Sequence, residues 1–312
     1  MLIETGIATT LATTSWDPRS WFALFRYGGD FAGSHPDLRF YEGVQDKDPR
    51  LMAVASEEVA AGISCYLLRE HFDLEHIADA YACIKRRELV YVANATSEAR
   101  PDYFCEGADG KAVLAESKGA TGTKKSITKR IDPEGWKQVQ NVEPVNLLLR
   151  NSCSRVVIGT HFCIQGIHPK SETTTIIKDP DGSRGQEKNP ESDMVIRLAY
   201  AKALQFMGHD ILADQLVAGR KMHSPFSELG ENTRLPQVGQ LSILPLGITP
   251  FGDVIGLYGP IGKALLGNAC SSLKAEILRA LRGFRDKRAS LEGKGYALPN
   301  GVVIVHDPDE LT

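Results

Sequence analysis

Residues 100–119 of this 312-residue chain, RPDYFCEGADGKAVLAESKG, contain the pattern that decides its fold. Pro101–Glu106 and Lys111–Lys118 are rich in residues that favour β-strands, and the GADG segment at 107–110 between them is typical of a tight turn. The pattern therefore predicts a β-hairpin over residues 101–118.

Three charged side chains lie at the open end of this hairpin. Asp102 begins the first strand, and Glu116 and Lys118 lie near the end of the second. Because strand side chains alternate between faces, Glu116 and Lys118 point to one face and Ser117 to the other. Two carboxylates that converge on one ammonium group are costly to leave without a counter-charge, since like charges repel strongly where water is partly excluded. A divalent cation would resolve this conflict.

Mg²⁺ is the cation that these ligand types favour. It binds oxygen atoms, keeps several waters and needs only one or two carboxylates, so Asp102, Glu116 and the backbone carbonyl of Ser117 form a candidate set. An ion held there can polarise a phosphodiester and lower the pKa of a bound water. Lys118 is placed to orient or help deprotonate that water, or to stabilise phosphate charge. The alternative interpretation is an exposed hairpin in which Glu116 and Lys118 form a weak surface ion pair.

The segments around the hairpin predict a mixed α/β core. Helical periodicity begins at Ser56, a candidate N-cap, and continues to about His71, and the segment that follows, through Arg87, is ambiguous but fits a second helix. The pattern further predicts a strand at Glu88–Ala93, a helix at Asp132–Glu143 with Asp132 as its N-cap, and a strand at Ser154–Ile164. The order is therefore helix, three strands, helix, strand.

Pro101-Asp102 and, after thirteen residues, Glu116-Ser117-Lys118 resemble the PD-(D/E)xK motif of the restriction-endonuclease-like nucleases. An apolar run, Ala112–Ala115, directly precedes the glutamate, as it does in those enzymes. The resemblance covers roughly residues 56–165 and implies an α/β fold with a restriction-endonuclease-like αβββαβ core and a mixed central sheet. N-terminal and C-terminal α+β extensions are expected to surround this core. The resemblance also implies that Asp102 and Glu116 hold Mg²⁺, for which Mn²⁺ can substitute, and that Lys118 is the catalytic lysine.

Two further positions follow from the resemblance alone. Such nucleases often add an acidic residue from the first core helix, for which Glu58 is preferred here over Glu57, although an acid near a helix N-terminus also has a purely structural explanation. In several branches a glutamine on the helix after the motif lines the site. Gln138 and Gln140 are both candidates, with Gln138 taken as the working choice.

A basic segment, Lys118–Arg130 (KGATGTKKSITKR), follows the motif and contains no acidic residue. Its glycines allow the backbone to approach a phosphate, and the sequence predicts a nucleic-acid contact at Lys124, Lys125, Lys129 and Arg130. A basic but merely solvated loop is the alternative. The net charge of −3 does not favour a polyanionic partner for the whole molecule, so any such surface must be local.

These observations predict a Mg²⁺-dependent nuclease that hydrolyses phosphodiester bonds, with DNA as the expected substrate. The alternatives are a non-catalytic nucleic-acid-binding or assembly module with the same fold, and a nuclease that acts on RNA. Because no base-reading module is recognisable, specificity is expected to come from a protein partner such as a helicase, ATPase or sensor, or from a homo-oligomer. By analogy alone, this suggests the nuclease subunit of a bacterial anti-phage defence system.

The predicted organisation is an N-terminal extension at 1–55, a nuclease core at 56–170 and a C-terminal α+β segment of unknown role at 171–312. Six dispersed cysteines form no CxxC pair, which argues against a structural zinc site. No apolar stretch approaches the length of a membrane span and the first residues lack the pattern of a secretion signal, so we expect a cytoplasmic protein without a membrane partner.

Overall fold

The computed structural model describes residues 7, 27, 30–31, 38–95, 97–107, 110–121, 123–167, 172–180, 193–220, 234–249, 252–266 and 273–311. The chain divides into two compact units, residues 1–195 and 196–312. Most of the predicted N-terminal extension lies outside the described residues. The unit that contains the hairpin ends at Val195, beyond residue 170, where the sequence analysis ends the core.

The first unit is a mixed α/β structure. Its described helices are α1 (Pro49–Glu70), α2 (Ala80–Lys85), α3 (Lys124–Lys129), α4 (Trp136–Gln140) and α5 (Leu147–Ser152). Its described strands are β1 (His76–Asp79), β2 (Leu89–Tyr91), β3 (Tyr103–Glu106), β4 (Ala112–Ala120), β5 (Val142–Pro144), β6 (Ser154–His161) and β7 (Thr174–Lys178). One sheet has the order β1-β3-β4-β6-β7, with β4 and β6 parallel and the other pairs antiparallel. The predicted α/β class with a mixed central sheet is confirmed.

The predicted hairpin is present as β3 and β4, which pair antiparallel with Tyr103 opposite Ala115. Every residue of β4 is buried, because β3 and β6 flank the strand and helices cover both of its faces. On one face, Cys65 and Leu68 of α1 pack against Val113 and Ala115. On the other face, apolar side chains of the α3–α4 region pack against β4 and β6, namely Ile127, Ile131, Trp136 and Val139.

Helix α1 begins seven residues earlier than predicted. Its N-cap is Asp48, whose side chain accepts a hydrogen bond from the backbone of Arg50 at 2.7 Å, and Pro49 occupies the first helical position. Ser56 is therefore not the N-cap, and its hydroxyl donates to the Ala53 carbonyl within the helix. Among the described residues, α1 is the one helix long and apolar enough to cross a membrane, and half of its most apolar window is buried in the fold, as in a core helix of a soluble protein.

Three other predicted elements differ from the structure. The ambiguous segment up to Arg87 begins with strand β1 rather than with a helix, because β1 pairs with β3, a partner distant in sequence. The predicted strand at 88–93 is present as β2, but it pairs with β5 in a separate ribbon. Asp132 has the extended φ and ψ angles, −133° and 120°, that an N-cap residue adopts, and it marks a kink between two helical stretches. Its carboxylate, however, pairs with Lys178 at 2.6 Å and accepts no capping hydrogen bond among the described residues.

The second unit combines helices with an antiparallel sheet. Its described helices are α6 (Met194–Phe206, which begins at the boundary), α7 (Asp210–Val217), α8 (Gly259–Leu266) and α9 (Leu273–Lys287). Its strands are β8 (Gln237–Val238), β9 (Leu241–Ile248), β10 (Val254–Tyr258), β11 (Gly295–Ala297) and β12 (Val302–Val305), in the order β11-β12-β10-β9-β8.

Helix α1 approaches β4 closely at Gly119, near the end of the strand that is farther from the hairpin turn. A Cβ atom at Gly119 would lie 2.0 Å from the carbonyl oxygen of Ser56, so only glycine fits there without a shift of the helix. We expect Gly119→Ala to lower the free energy of unfolding by about 3 kcal/mol, because overpacking must displace backbone. Urea unfolding measures this loss. Gly247→Ala, where the added Cβ meets nothing within 4 Å, is the control, and equal midpoints for the two variants would contradict the prediction.

Candidate active site

The candidate site lies where β3 and β4 separate. The two strands pair only as far as Tyr103 and Ala115, and from Glu116 onward β4 continues beside β6 alone. Asp102, the residue before β3, lies across this fork from Glu116. The alternation predicted for β4 holds: Ser117 faces α1, where its hydroxyl lies 2.9 Å from that of Ser64, and Glu116 and Lys118 face the other way.

Asp102 and Glu116 are fixed by reciprocal hydrogen bonds. The backbone N–H of Asp102 donates to Glu116 Oε2 at 2.9 Å, and the backbone N–H of Ser117 donates to Asp102 Oδ2 at 3.0 Å. Each carboxylate is thus held by the backbone next to the other. Because the N–H and C=O groups of a strand residue face the same edge, the Ser117 carbonyl also faces the fork. The three predicted metal ligands are therefore brought together.

Lys118 completes a buried charge cluster. Its ammonium nitrogen lies 2.6 Å from Glu116 Oε1 and 3.4 Å from Glu134 Oε1. Glu116 is only 1% exposed and Lys118 only 7%, so the pair is not the weak surface ion pair of the alternative interpretation. When Asp102 and Glu116 are both ionised, their two negative charges exceed the single positive charge of Lys118 at the fork.

Burial and mutual repulsion disfavour the ionised carboxyls. Burial raises the pKa of Glu116 well above its usual value, the charge of Asp102 raises it further, and Lys118 lowers it only in part. Partial desolvation in the cavity raises the pKa of Asp102 too, but Asp102 is exposed at the fork, and the hydrogen bond from Ser117 and the charge of Lys118 oppose the shift. Burial lowers the pKa of Lys118, but the carboxylates of Glu116, Asp102 and Glu134 raise it by more. A bound cation would relieve the repulsion between the two carboxylates.

A cavity of about 550 Å³ opens at the fork. Beside Asp102, Glu116, Ser117 and Lys118, its polar walls include Glu57, Glu58, Asp79, Tyr81, Arg100 and Gln138. Sequence reasoning missed Asp79, which ends β1 opposite Tyr103. Residues 76–79 could not be predicted as a strand from their own sequence, because they form one only by pairing with β3.

The two acidic candidates on α1 have different partners. Glu57 accepts a hydrogen bond from the backbone of Gly119 at 3.1 Å and forms an ion pair with Arg130. Glu58 accepts a hydrogen bond from the hydroxyl of Tyr27 at 2.5 Å. Both glutamates line the cavity, but Glu57 is tied directly to the strand that carries Glu116 and Lys118.

The two glutamine candidates are separated clearly. Gln138 lines the cavity, and its Nε2 donates to the carbonyl of Arg100 at 3.1 Å, which links α4 to the segment leading into Asp102. Gln140 is exposed and does not line this cavity.

The four basic residues predicted to contact nucleic acid lie on or directly after helix α3 (Lys124–Lys129) rather than in a loop. Lys124, Lys125 and Lys129 are exposed on α3, whose N-cap is Thr123. Arg130 differs from them, because its half-buried guanidinium group donates to Glu57 and to the Gly119 carbonyl. Its contacts join α1 to β4 beside the site, so Arg130 supports the cavity wall, whereas the three lysines face solvent.

Comparisons with known proteins give no relative. No protein-family model matches this chain, and no similar curated protein or solved structure was found.

The donor set at the fork fits a hard divalent cation. Across the part of the chain that the structure describes, no three His, Cys, Asp or Glu side chains are grouped to hold an ion by themselves. Two carboxylates and the carbonyl of Ser117 are what the fork offers, and Mg²⁺ requires no more because it keeps several of its waters. Nitrogen and sulfur ligands of the kind that zinc prefers are not part of this set.

Proposed function

We propose that this chain is a Mg²⁺-dependent nuclease with a restriction-endonuclease-like core, and that it hydrolyses phosphodiester bonds in DNA. The observation that carries the proposal is the convergence of Asp102, Glu116 and Lys118 at one open fork, with Lys118 Nζ 2.6 Å from Glu116. Further support is the order of the elements that form and cover this sheet. They run as helix α1, strands β1, β3 and β4, the α3–α4 helices and strand β6, with α2 and β2 inserted before β3 and with β5 and α5 inserted before β6.

The residues of the fork divide the work of hydrolysis. Asp102, Glu116 and the Ser117 carbonyl would hold Mg²⁺, which when bound stabilises charge on the phosphate and acidifies a water. Lys118 can donate a hydrogen bond to the attacking water or to a non-bridging phosphate oxygen, and Glu116 keeps its ammonium group in that direction. The water oxygen bonds to phosphorus and releases a proton to solvent at the open fork, the bond to the leaving oxygen breaks, and that oxygen takes up a proton from solvent.

Exposed lysines outside the fork could bind the phosphates of a nucleic acid. Lys124, Lys125 and Lys129 are exposed on α3, the helix that follows β4, and can neutralise backbone phosphates. Such contacts position a nucleic acid but carry no sequence information. Specificity would then come from a partner subunit, such as a helicase, ATPase or sensor in an anti-phage system, or from a second copy of the chain.

A substrate panel tests the function. The purified protein is incubated with plasmid, linear and single-stranded DNA and with RNA, in Mg²⁺, in Mn²⁺ or in EDTA, beside the isosteric variant Asp102→Asn. We expect DNA cleavage by the native protein alone and only with metal. Equal cleavage by the variant would indicate a contaminating nuclease and overturn the proposal. Binding without cleavage would identify a binding module instead, and cleavage of RNA alone would replace the DNA assignment.

A further inference from the structure

A second cavity adjoins the candidate active site. Its volume is about 680 Å³, and it lies between the residues that follow β2 and the helix α4 with its flanking residues. Ala99, Lys118 and Gln138 line both cavities. Lys118 therefore lies between the two cavities. A nucleic-acid strand with a phosphate at Lys118 would have its next nucleotide beside the second cavity.

The walls of the second cavity carry polar groups that the fold does not use. Asn94, Lys137 and Gln140 are exposed, and within the described part of the chain their side chains take part in no hydrogen bond or ion pair. Gln138 Oε1 is a buried acceptor, again with no hydrogen-bond partner among the described residues. The three exposed side chains offer amide donors and acceptors and one ammonium group, so they are suited to a ligand that carries both donors and acceptors.

Other side chains make the cavity rigid. Asn141 donates to the carbonyl of Ala99 at 2.7 Å and to the hydroxyl of Ser97 at 3.3 Å, which fixes the wall formed by the residues after β2. Gln138 holds the adjacent carbonyl of Arg100 through its Nε2. These hydrogen bonds link α4 and Asn141 on one side of the cavity to the residues that precede Asp102 on the other, and such links lower the cost of ordering the walls around a ligand.

We propose that this cavity binds one unpaired nucleotide of the strand whose adjoining phosphate lies at Lys118. The inference rests on the proposed nuclease function and adds a substrate class to it, namely nucleic acid that is single-stranded or frayed beside the cut. The chemistry fits: carboxamides pair with the edges of bases, and Lys137 provides a cation for a phosphate. The volume fits as well, because it lies within the range of small-ligand sites. A base inside a duplex is paired and stacked, so it cannot enter such a cavity without leaving the helix.

Binding measurements in EDTA test the inference without cleavage. Fluorescence anisotropy compares a labelled single-stranded DNA oligonucleotide with a blunt duplex of the same sequence, for the native protein and for the double variant Asn94→Ala/Gln140→Ala. We expect the native protein to bind the single strand more tightly. The double variant should lose about ten-fold in affinity for the single strand, as the loss of two hydrogen bonds predicts, and less than two-fold for the duplex.

The controls separate this inference from the function on which it rests. Both substituted residues are exposed and unpaired, so the variant should fold normally, and Asn151→Ala, an exposed amide that lines neither cavity, should bind like the native protein. Unchanged affinity of the double variant for the single strand, or an equal loss for both substrates, would overturn the inference even if the protein cuts DNA. A selective loss would support the nucleotide site even if the cleavage assay fails.

Discussion

Replacement of Asp102 by asparagine is expected to lower metal-dependent cleavage by about a thousand-fold and, in the absence of metal, to raise the thermal stability of the protein at neutral pH. Asparagine keeps the shape of the side chain and can still accept the hydrogen bond that Ser117 donates to Asp102 Oδ2. It removes one of the two charges that would hold Mg²⁺. A metal ion contributes several kcal/mol of transition-state stabilisation, and about 4 kcal/mol corresponds to a thousand-fold in rate.

The sign of the stability change follows from the raised pKa of Asp102. In the native fold this carboxyl holds its proton to a higher pH than in the unfolded chain, because the cavity partly desolvates it, and the exposure of the residue at the fork keeps the effect small. As pH rises through that interval the unfolded chain loses its proton first, so the native protein loses stability. Asparagine does not titrate, and it also removes the charge that raises the pKa of Glu116. The melting temperature of Asp102→Asn should therefore exceed that of the native protein increasingly toward neutral pH. The difference should be absent in acid, below the pKa of Asp102 in both the unfolded and the folded chain.

Cleavage rates and metal-free melting curves at several pH values check both parts of this prediction. Asp46→Asn, at an exposed carboxyl that lines neither cavity, is the matched control and should change neither quantity. A variant at Asp102 that cuts within ten-fold of the native rate would remove this residue from the metal site. A lower midpoint at neutral pH would show that the carboxylate stabilises the metal-free fold.

Replacement of Lys118 by methionine is expected to abolish cleavage and also to destabilise the fold by about 3–5 kcal/mol at neutral pH. The substitution leaves Glu116, which is 1% exposed, without its 2.6 Å partner, and loss of one member of a buried ion pair typically has this cost. The raised pKa of Lys118 means that its contribution to stability is fully present at neutral pH and disappears only above the pKa of a free lysine.

The loss should depend on pH in a defined direction. Without Lys118, the carboxyl of Glu116 is expected to bind a proton more readily, so the difference between variant and native protein shrinks as pH falls. Urea unfolding at neutral and at acidic pH measures this. The control is Lys125→Met on the exposed surface of α3, which should stay within about 0.5 kcal/mol of the native protein. A loss of similar size at both pH values would point to altered packing rather than to the broken ion pair.

Part of the site could be predicted because it depends on local rules. A turn between two strand-forming runs places Asp102 across from Glu116, and the two-residue period of a strand places Glu116 and Lys118 on one face. Both expectations agree with the observed pairing of β3 with β4 and with the contact between the two side chains. The buried state of this pair could not be predicted from the hairpin, because it results from helices that cover both faces of β4.

The errors concern positions that depend on partners distant in sequence. Asp79 entered the site unrecognised because β1 becomes a strand by pairing with β3, and a short apolar segment fits a helix equally well. The ion pair between Arg130 and Glu57, which precedes it by 73 residues, could not be predicted from the basic segment, and a nucleic-acid contact at Arg130 stays a prediction. Asp132 has the backbone conformation of an N-cap, but its carboxylate binds Lys178, 46 residues later in the chain, instead of capping the helix.

The hairpin, its turn and the common face of Glu116 and Lys118 are encoded locally, since they follow from backbone geometry over a few residues. Which other groups meet these side chains depends on the packing of distant elements. Gly119 lets α1 approach β4 closely enough for Glu57 to bind the strand, and α4 brings Gln138 rather than Gln140 to the fork. Such choices depend on how helices pack against the sheet, and no local pattern in the chain encodes that packing.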